Sequence, residues 1–164
     1  MIEKITLTIA ILVTIGWIGG AAVAVYDNWQ VGKDTNAWLE RAQVASNPFD
    51  MQDYLLKCKA GMEKWEVTSG HAVFIFETPE NDMSLIMEAL QSNIDRCDKI
   101  KNFSATSIEY QTALDDVRGA IRELDLHTPP SWWYIHAFWL ALWAWLGWIA
   151  MIIVWMVYGI ASDL

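Results

Sequence analysis

The charges in this chain are segregated. There is no Asp, Glu, Lys or Arg between Ile5 and Tyr26, and none between Leu126 and Ser162. Between those stretches lie 18 acidic and 10 basic residues, a net charge of −8. A bilayer core of ~30 Å takes roughly 20 apolar helical residues. Backbone in lipid must satisfy its own hydrogen bonds, so single spanning segments are helical. The pattern predicts an all-α membrane protein. A transmembrane helix over 5–26 and a second over 131–161 flank an antiparallel helical bundle domain over 27–130. An acidic domain repels phosphate backbones and anionic lipid, so the expected partners are the bilayer and other membrane subunits, with no nucleic acid.

In the first segment, Ala22-Val23-Ala24 also reads as a signal-peptide cleavage site. The basic region before it is poor, with Lys4 beside Glu3, which favours a retained span. The second segment follows Pro129-Pro130, a good helix start. It holds seven of the eleven tryptophans. Trp132, Trp133 and Tyr134 at one end and Tyr158 at the other suit the aromatic belts of a membrane interface. The more central tryptophans suggest an aromatic face turned to lipid or to a partner. Lys4 is the one base flanking the spans on the terminal side. The expected topology is N-in, C-in, with the central domain extracytoplasmic.

Helix association in lipid relies on close backbone approach, which favours small residues. Gly16, Gly20 and Ala24 are spaced by four. Ala137, Ala141, Ala144 and Gly147 are spaced by four, three and three. Run antiparallel, Ala24 falls level with Ala137, Gly20 with Ala141, and Gly16 with Ala144 to Gly147. That pairing turns Trp139 and Trp148 outward. The alternative is that Gly16-x-x-x-Gly20 contacts a different chain.

The central domain reads as successive helices. Asp34 or Thr35 caps a short one through Trp38, Leu39, Ala42 and Ala45, interrupted at Asn47-Pro48. Met51, Leu55, Cys58, Met62, Trp65, Ala72 or Val73, and Phe76 recur mostly at three and four residues, predicting one long helix. His71–Phe76 is also rich enough in β-branched and aromatic residues for a short strand after Gly70. Thr78-Pro79-Glu80 predicts a restart leading into the stripe Met83, Met87, Leu90, Ile94 and Cys97. Thr106-Ser-Ile-Glu109 reads as a capping box before Tyr110, Leu114, Val117, Ile121 and Leu124.

Cys58 and Cys97 fall on two of these apolar faces. If the long helix turns near Thr78, the two are level in a hairpin, which predicts a disulfide; two buried free thiols are the alternative. The three histidines are scattered and there is no CxxC, so no metal site is expected. His136, near one end of an uncharged span, is the one candidate ligand for haem or a pigment; an interfacial histidine is the plainer reading. Asp115-Asp116 and the Asp50/Asp53 pair suit solvated helix faces better than paired-carboxylate catalysis. There is no phosphate loop, no HExxH and no Ser-His-Asp pattern, so no catalytic residues and no cofactor are expected.

The layout of span, helical bundle and span is similar to that of the four-helix sensor modules of bacterial chemoreceptors. The resemblance lies in layout, not in a motif. It implies ligand sensing, with the output domain that a receptor needs supplied by a partner. The leading expectation is a non-catalytic accessory subunit of a larger membrane complex. The alternatives are a sensor acting through a partner, and an electron-transfer or light-harvesting subunit using His136.

Overall fold

The computed structural model of the protein describes residues 2–72, 77–124, 126 and 138–162. The long elements among them are all helices: α1 (Ile2–Asp34), α2 (Asn36–Gln43), α3 (Pro48–Lys64), α4 (Met83–Ile100), α5 (Ile108–Glu123) and α6 (Phe138–Ser162). A single 3-10 turn occupies Pro79–Asn81. One antiparallel bridge, His71 with Asp82, is the only strand-like pairing among the described residues. The chain divides into two compact units, Met1–Asp27 with Ala137–Leu164, and Asn28–His136.

The first unit is the terminal helix pair. α1 is 33 residues, about 50 Å at 1.5 Å per residue. By length and composition it is apolar enough to cross a membrane, and only 6% of its most apolar window is buried. Leu12, Ile15, Ile18, Val23 and Val25 are each more than half exposed. α6 has a shorter apolar run, Trp145–Ile160. There Trp145, Leu146, Ile149, Met156 and Ile160 are also more than half exposed.

The second unit is a helical bundle. α2 packs on α3 and α5, α3 on α4, and α4 on α5, closing a ring of four helices. Each helix contributes the stripe its sequence announces. Leu39 and Ala42 come from α2, and Met51, Leu55, Cys58 and Met62 from α3. Met83, Leu90, Ile94 and Cys97 come from α4, and Leu114, Val117 and Ile121 from α5. Met87, Tyr110 and Leu124 pack against this core partly buried. A fully buried Leu or Ile contributes about 1.5–3 kcal/mol, an exposed ion pair such as Lys57–Asp53 about 0–1 kcal/mol. The stripes, not the surface charges, hold the bundle.

Helix ends follow local chemistry. Asn47 caps α3, its Oδ1 accepting from Asp50 N at 2.9 Å, with Pro48 in the first turn. Thr35 stands between α1 and α2 and donates its hydroxyl back to Val31 O at 2.7 Å. α1 therefore runs unbroken past Tyr26 to Asp34.

Three expectations need correction. The long helix from Met51 to Phe76 stops at Lys64. Glu66 adopts a left-handed φ of 55°. Val67 N bonds Met62 O at 2.9 Å and Glu66 N bonds Glu63 O at 3.1 Å. That is a Schellman closure, with Val67 and Met62 both buried beneath it. Beyond it, Ala72 N donates to Asn81 O and Met83 N to Gly70 O, each at 2.9 Å. Val73 to Phe76 lie outside the described residues.

Second, Thr78-Pro79 opens one 3-10 turn rather than α4. Thr78 and Asn81 cap each other, through Thr78 N to Asn81 Oδ1 at 3.1 Å and Asn81 Nδ2 to Thr78 Oγ1 at 3.0 Å. Asp82 is the cap of α4, its Oδ1 accepting from Ser84 N at 2.9 Å. The Ser84 hydroxyl donating to the same carboxylate chiefly, with that backbone bond, holds the Asp82 pKa below its usual value. Third, the cap of α5 is Ser107, whose Oγ accepts from Tyr110 N at 3.1 Å, not Thr106.

Candidate functional site

Chemistry-bearing side chains come together at the contact between the terminal helices, around the core cysteines, in a surface groove on the bundle, and where α1 meets α3. In the terminal pair, α1 offers Ala10, Thr14 and Trp17, spaced by four and three and so on one face. Ala10 is fully covered. The Thr14 hydroxyl donates to Ala10 O at 2.7 Å and accepts from the Trp155 indole at 3.1 Å. Trp17 lies against Trp148, ring centroids 6.1 Å apart and tilted by 59°. A Cβ added at Gly147 would sit 3.2 Å from Trp17 Cδ1, so the bare glycine admits the indole. Trp155 in turn meets Tyr158 edge-on at 5.8 Å.

The contact is antiparallel, and it differs in detail from the small-residue pairing. Cβ atoms added at Gly16 and Gly20 would meet nothing within 4 Å. Trp148, expected to turn outward, touches Trp17. A tryptophan laid over one glycine replaces glycine facing alanine. Ala137 and His136 lie outside the described residues, as do the side chains of Ala24, Ala141 and Ala144. Thr14 was missed because a lone threonine in an apolar run has no motif. The available signal was its four-residue and three-residue spacing to Ala10 and Trp17.

Cys58 and Cys97 are free thiols, both buried; the expected disulfide is not formed. The physical reason is the early end of α3. The hairpin does not turn near Thr78 but passes through a long connection. Cross-links between α3 and α4 set the true register. Gln52 Nε2 donates to Ile94 O at 3.3 Å, and Lys59 Nζ to Gln91 Oε1 at 2.7 Å. Cys58 is thus level with the neighbourhood of Gln91, about six residues or roughly 9 Å along the axis from Cys97. A disulfide needs Cα atoms within about 7 Å. Burial pushes the Cys58 thiol up to about 12 and the Cys97 thiol up to about 11. Neither is a nucleophile at neutral pH.

The groove lies at the corner of α2 and α3, about 340 Å³, lined by Arg41, Val44, Ala45, Ser46, Asp50 and Tyr54. Beside it Trp38 stacks on Tyr54 at 6.0 Å and 23°. The Arg41 guanidinium lies 4.7 Å and the Lys57 ammonium 4.8 Å from the Trp38 ring centroid. The indole thus holds two cations, of which Lys57 is also paired with Asp53 at 2.6 Å, while the Asp50 carboxylate in the groove accepts from Asn47 Nδ2 at 2.7 Å. The groove is open to solvent and contains no nucleophile paired with a base. No group of three or more His, Cys, Asp or Glu among the described residues could hold a metal ion.

Where α1 meets α3, Gly61 and Asp34 are in direct contact. A Cβ on Gly61 would fall 1.9 Å from the Asp34 carbonyl oxygen. The Asp34 carboxylate accepts from Lys64 Nζ at 2.5 Å and from the Trp65 indole at 3.0 Å. The Lys64 bond chiefly, with the Trp65 bond, holds the Asp34 pKa below its usual value against the opposing effect of burial. These contacts are structural. No known protein family, curated protein or solved structure matches this chain.

Proposed function

We propose that the chain is a non-catalytic accessory subunit of a membrane protein complex. Its terminal helices form an antiparallel hairpin in the bilayer, and its acidic bundle is an extracytoplasmic domain. The observation that carries this reading is the terminal pair. Two helices with Leu12, Ile15, Ile18, Trp145, Ile149 and Met156 exposed cannot bury them against each other. Such a surface is costly in water and at home in lipid or against other spans. The Trp155–Thr14 bond supports the hairpin, because an indole N–H in hydrocarbon lacks water to bond and here finds its acceptor on the neighbouring helix. Aromatic side chains left outward suit contact with further subunits.

Carbonate washing and mild-detergent extraction test it. The reading expects the chain to stay with the membrane after washing and to co-elute with defined partner chains. Release by carbonate, or a fully functional monomer, overturns it. Cysteines at positions 14 and 155, with Cys58 and Cys97 replaced by Ala, should cross-link within one chain if the hairpin is correct. For topology, Ser104→Cys in the same background should react with an impermeant maleimide in intact cells. A ligand-sensing module acting through a partner is a second reading, and the groove beside Trp38 and Tyr54 supports it. Saturable binding of a small solute, lost in Arg41→Ala, would favour that reading.

A further inference from the structure

The two ends of the bundle differ in character. The chain enters from α1 and leaves after Leu124 at one end, where the connection between Trp65 and Met83 carries Glu66, Glu77, Glu80 and Asp82 and no Lys or Arg. At the opposite end α2 finishes, α3 begins, α4 finishes and α5 begins. Lys101 marks the meeting there: it bonds the Gln52 side chain, and its ammonium lies 4.9 Å from the Phe49 ring centroid. The two connections at this end, 42–49 and 102–108, contain no charged residue in a domain of net charge −8. They also expose large apolar side chains: Val44 is 80% exposed, Phe49 63%, Phe103 47% and Ile108 81%. A bundle able to bury Leu39, Leu90 and Leu114 completely leaves these four in water. Interface centres are depleted of charge and enriched in aromatic and aliphatic contact, and this end has that composition.

We propose that this end, whose two uncharged connections carry Val44, Phe49, Phe103 and Ile108, docks an apolar, basic-rimmed surface on the extramembrane domain of a partner subunit. The proposal rests on the accessory-subunit reading and names the contact that reading lacks. Charge selects the occupant. The border of the apolar residues carries both signs, Asp50, Asp98 and Glu109 with Arg41, Lys101 and Arg118, so it is the net charge of −8 on the whole domain that discriminates between occupants. A second copy would bring one acidic domain onto another, and anionic lipid would be repelled in the same way. A surface with Lys and Arg around an apolar centre is drawn in instead. Area points to a tethered partner. Four such side chains offer on the order of 500 Å², below the ~800 Å² per partner of a stable free-standing interface. A partner held in the same membrane needs less, because tethering raises its effective concentration.

The test is photo-cross-linking in native membranes with the full chain. A benzophenone amino acid replaces Val44, Phe49 or Ile108 in turn, and Glu88, exposed on the side of α4, as the control. The expected result is one shared protein adduct from positions 44, 49 and 108 and none from 88, its cross-linked peptide rich in Lys and Arg. The adduct from position 44 should fall at least fivefold in the Phe49→Ser, Ile108→Ser double variant, whose melting temperature should match the parent because both residues are solvent-exposed. Adducts to lipid or to a second copy overturn the proposal. So does an undiminished adduct in the double variant. If the chain co-purifies with other subunits but positions 44, 49 and 108 give no adduct, the docking surface is wrong and the accessory reading stands. If it purifies with no other subunit, both fail.

Discussion

Arg118 on α5 and Ala45 at the end of α2, 73 residues apart, are joined by two hydrogen bonds: Nε and Nη2 both donate to the Ala45 carbonyl, at 3.2 and 2.6 Å. Nη1 also reaches Asp115, at 2.7 Å. Ala45 lies just past the Val44 cap of α2, where the chain has left the helix, and Arg118 supplies its carbonyl with partners from across the ring. Arg118→Ala should lower stability by about 1.5–2 kcal/mol, in the range for hydrogen bonds to a charged group. Arg118→Lys should recover part of this, since an ammonium cannot reproduce the two-pronged geometry. Denaturant unfolding followed by tryptophan fluorescence reads both.

Gly61 tolerates no side chain. An added Cβ would meet backbone, the Asp34 carbonyl, so α1 and α3 would have to separate. Gly61→Ala should cost about 3 kcal/mol or more, at the upper end for overpacking. The same contact predicts an acid dependence. The Asp34 pKa is lower in the folded protein than in the unfolded chain. Its contribution is therefore present above the unfolded carboxylate value near 4 and is lost as pH falls through the lower folded value. Asp34→Asn should flatten the stability profile in that acidic window and leave it unchanged in shape at neutral pH.

Glu66 occupies a backbone conformation that suits glycine, with φ 55° at the position where a Schellman closure usually places one. Left-handed geometry costs a non-glycine residue about 1–2 kcal/mol, offset in part by the greater freedom glycine regains on unfolding. Glu66→Gly should raise stability by about 0.5–1 kcal/mol, and Glu66→Val should lower it. Thermal melts of the three proteins rank them.

Cys58 and Cys97 should resist alkylation at pH 8 in the folded protein and both react once it is unfolded. Their thiol pKa values are raised in the folded state, from a usual 9.0 to about 12 and about 11. The stability they support is complete below pH 9 and is lost as pH rises toward those values, because buried thiolates are costly. Replacing both with Ala should remove that alkaline loss at the expense of a smaller core. Mass spectrometry of alkylated peptides and an alkaline unfolding titration check the two statements.

The burial stripes were legible because three-and-four spacing follows directly from helical geometry. Leu55, Leu90, Leu114 and Ile121 all sit in the core their spacing assigns them. The end of α3 was not legible. Trp65 continues the spacing, and the stop is a backbone turn at a glutamate, with no glycine or proline to announce it. From that one boundary came the wrong hairpin register and the expected disulfide. Thr78 and Thr106 each carry a capping hydroxyl, but Asp82 and Ser107 lie closer to where the α-helices begin. In the terminal pair, glycines spaced by four were more conspicuous than the Ala10, Thr14 and Trp17 face that makes the contact.

The eight-residue length of α2 has a kinetic meaning. A helix that short does not persist alone in water, since nucleation is unfavourable and too few turns follow to offset it. Its lifetime is therefore set by what it leans on: Leu39 and Ala42 in the core, Trp38 on Tyr54, and Arg118 at its end. Three of the six groove residues, Arg41, Val44 and Ala45, move with it. Whatever fills the groove therefore also favours the docked position of that short helix, by mass action.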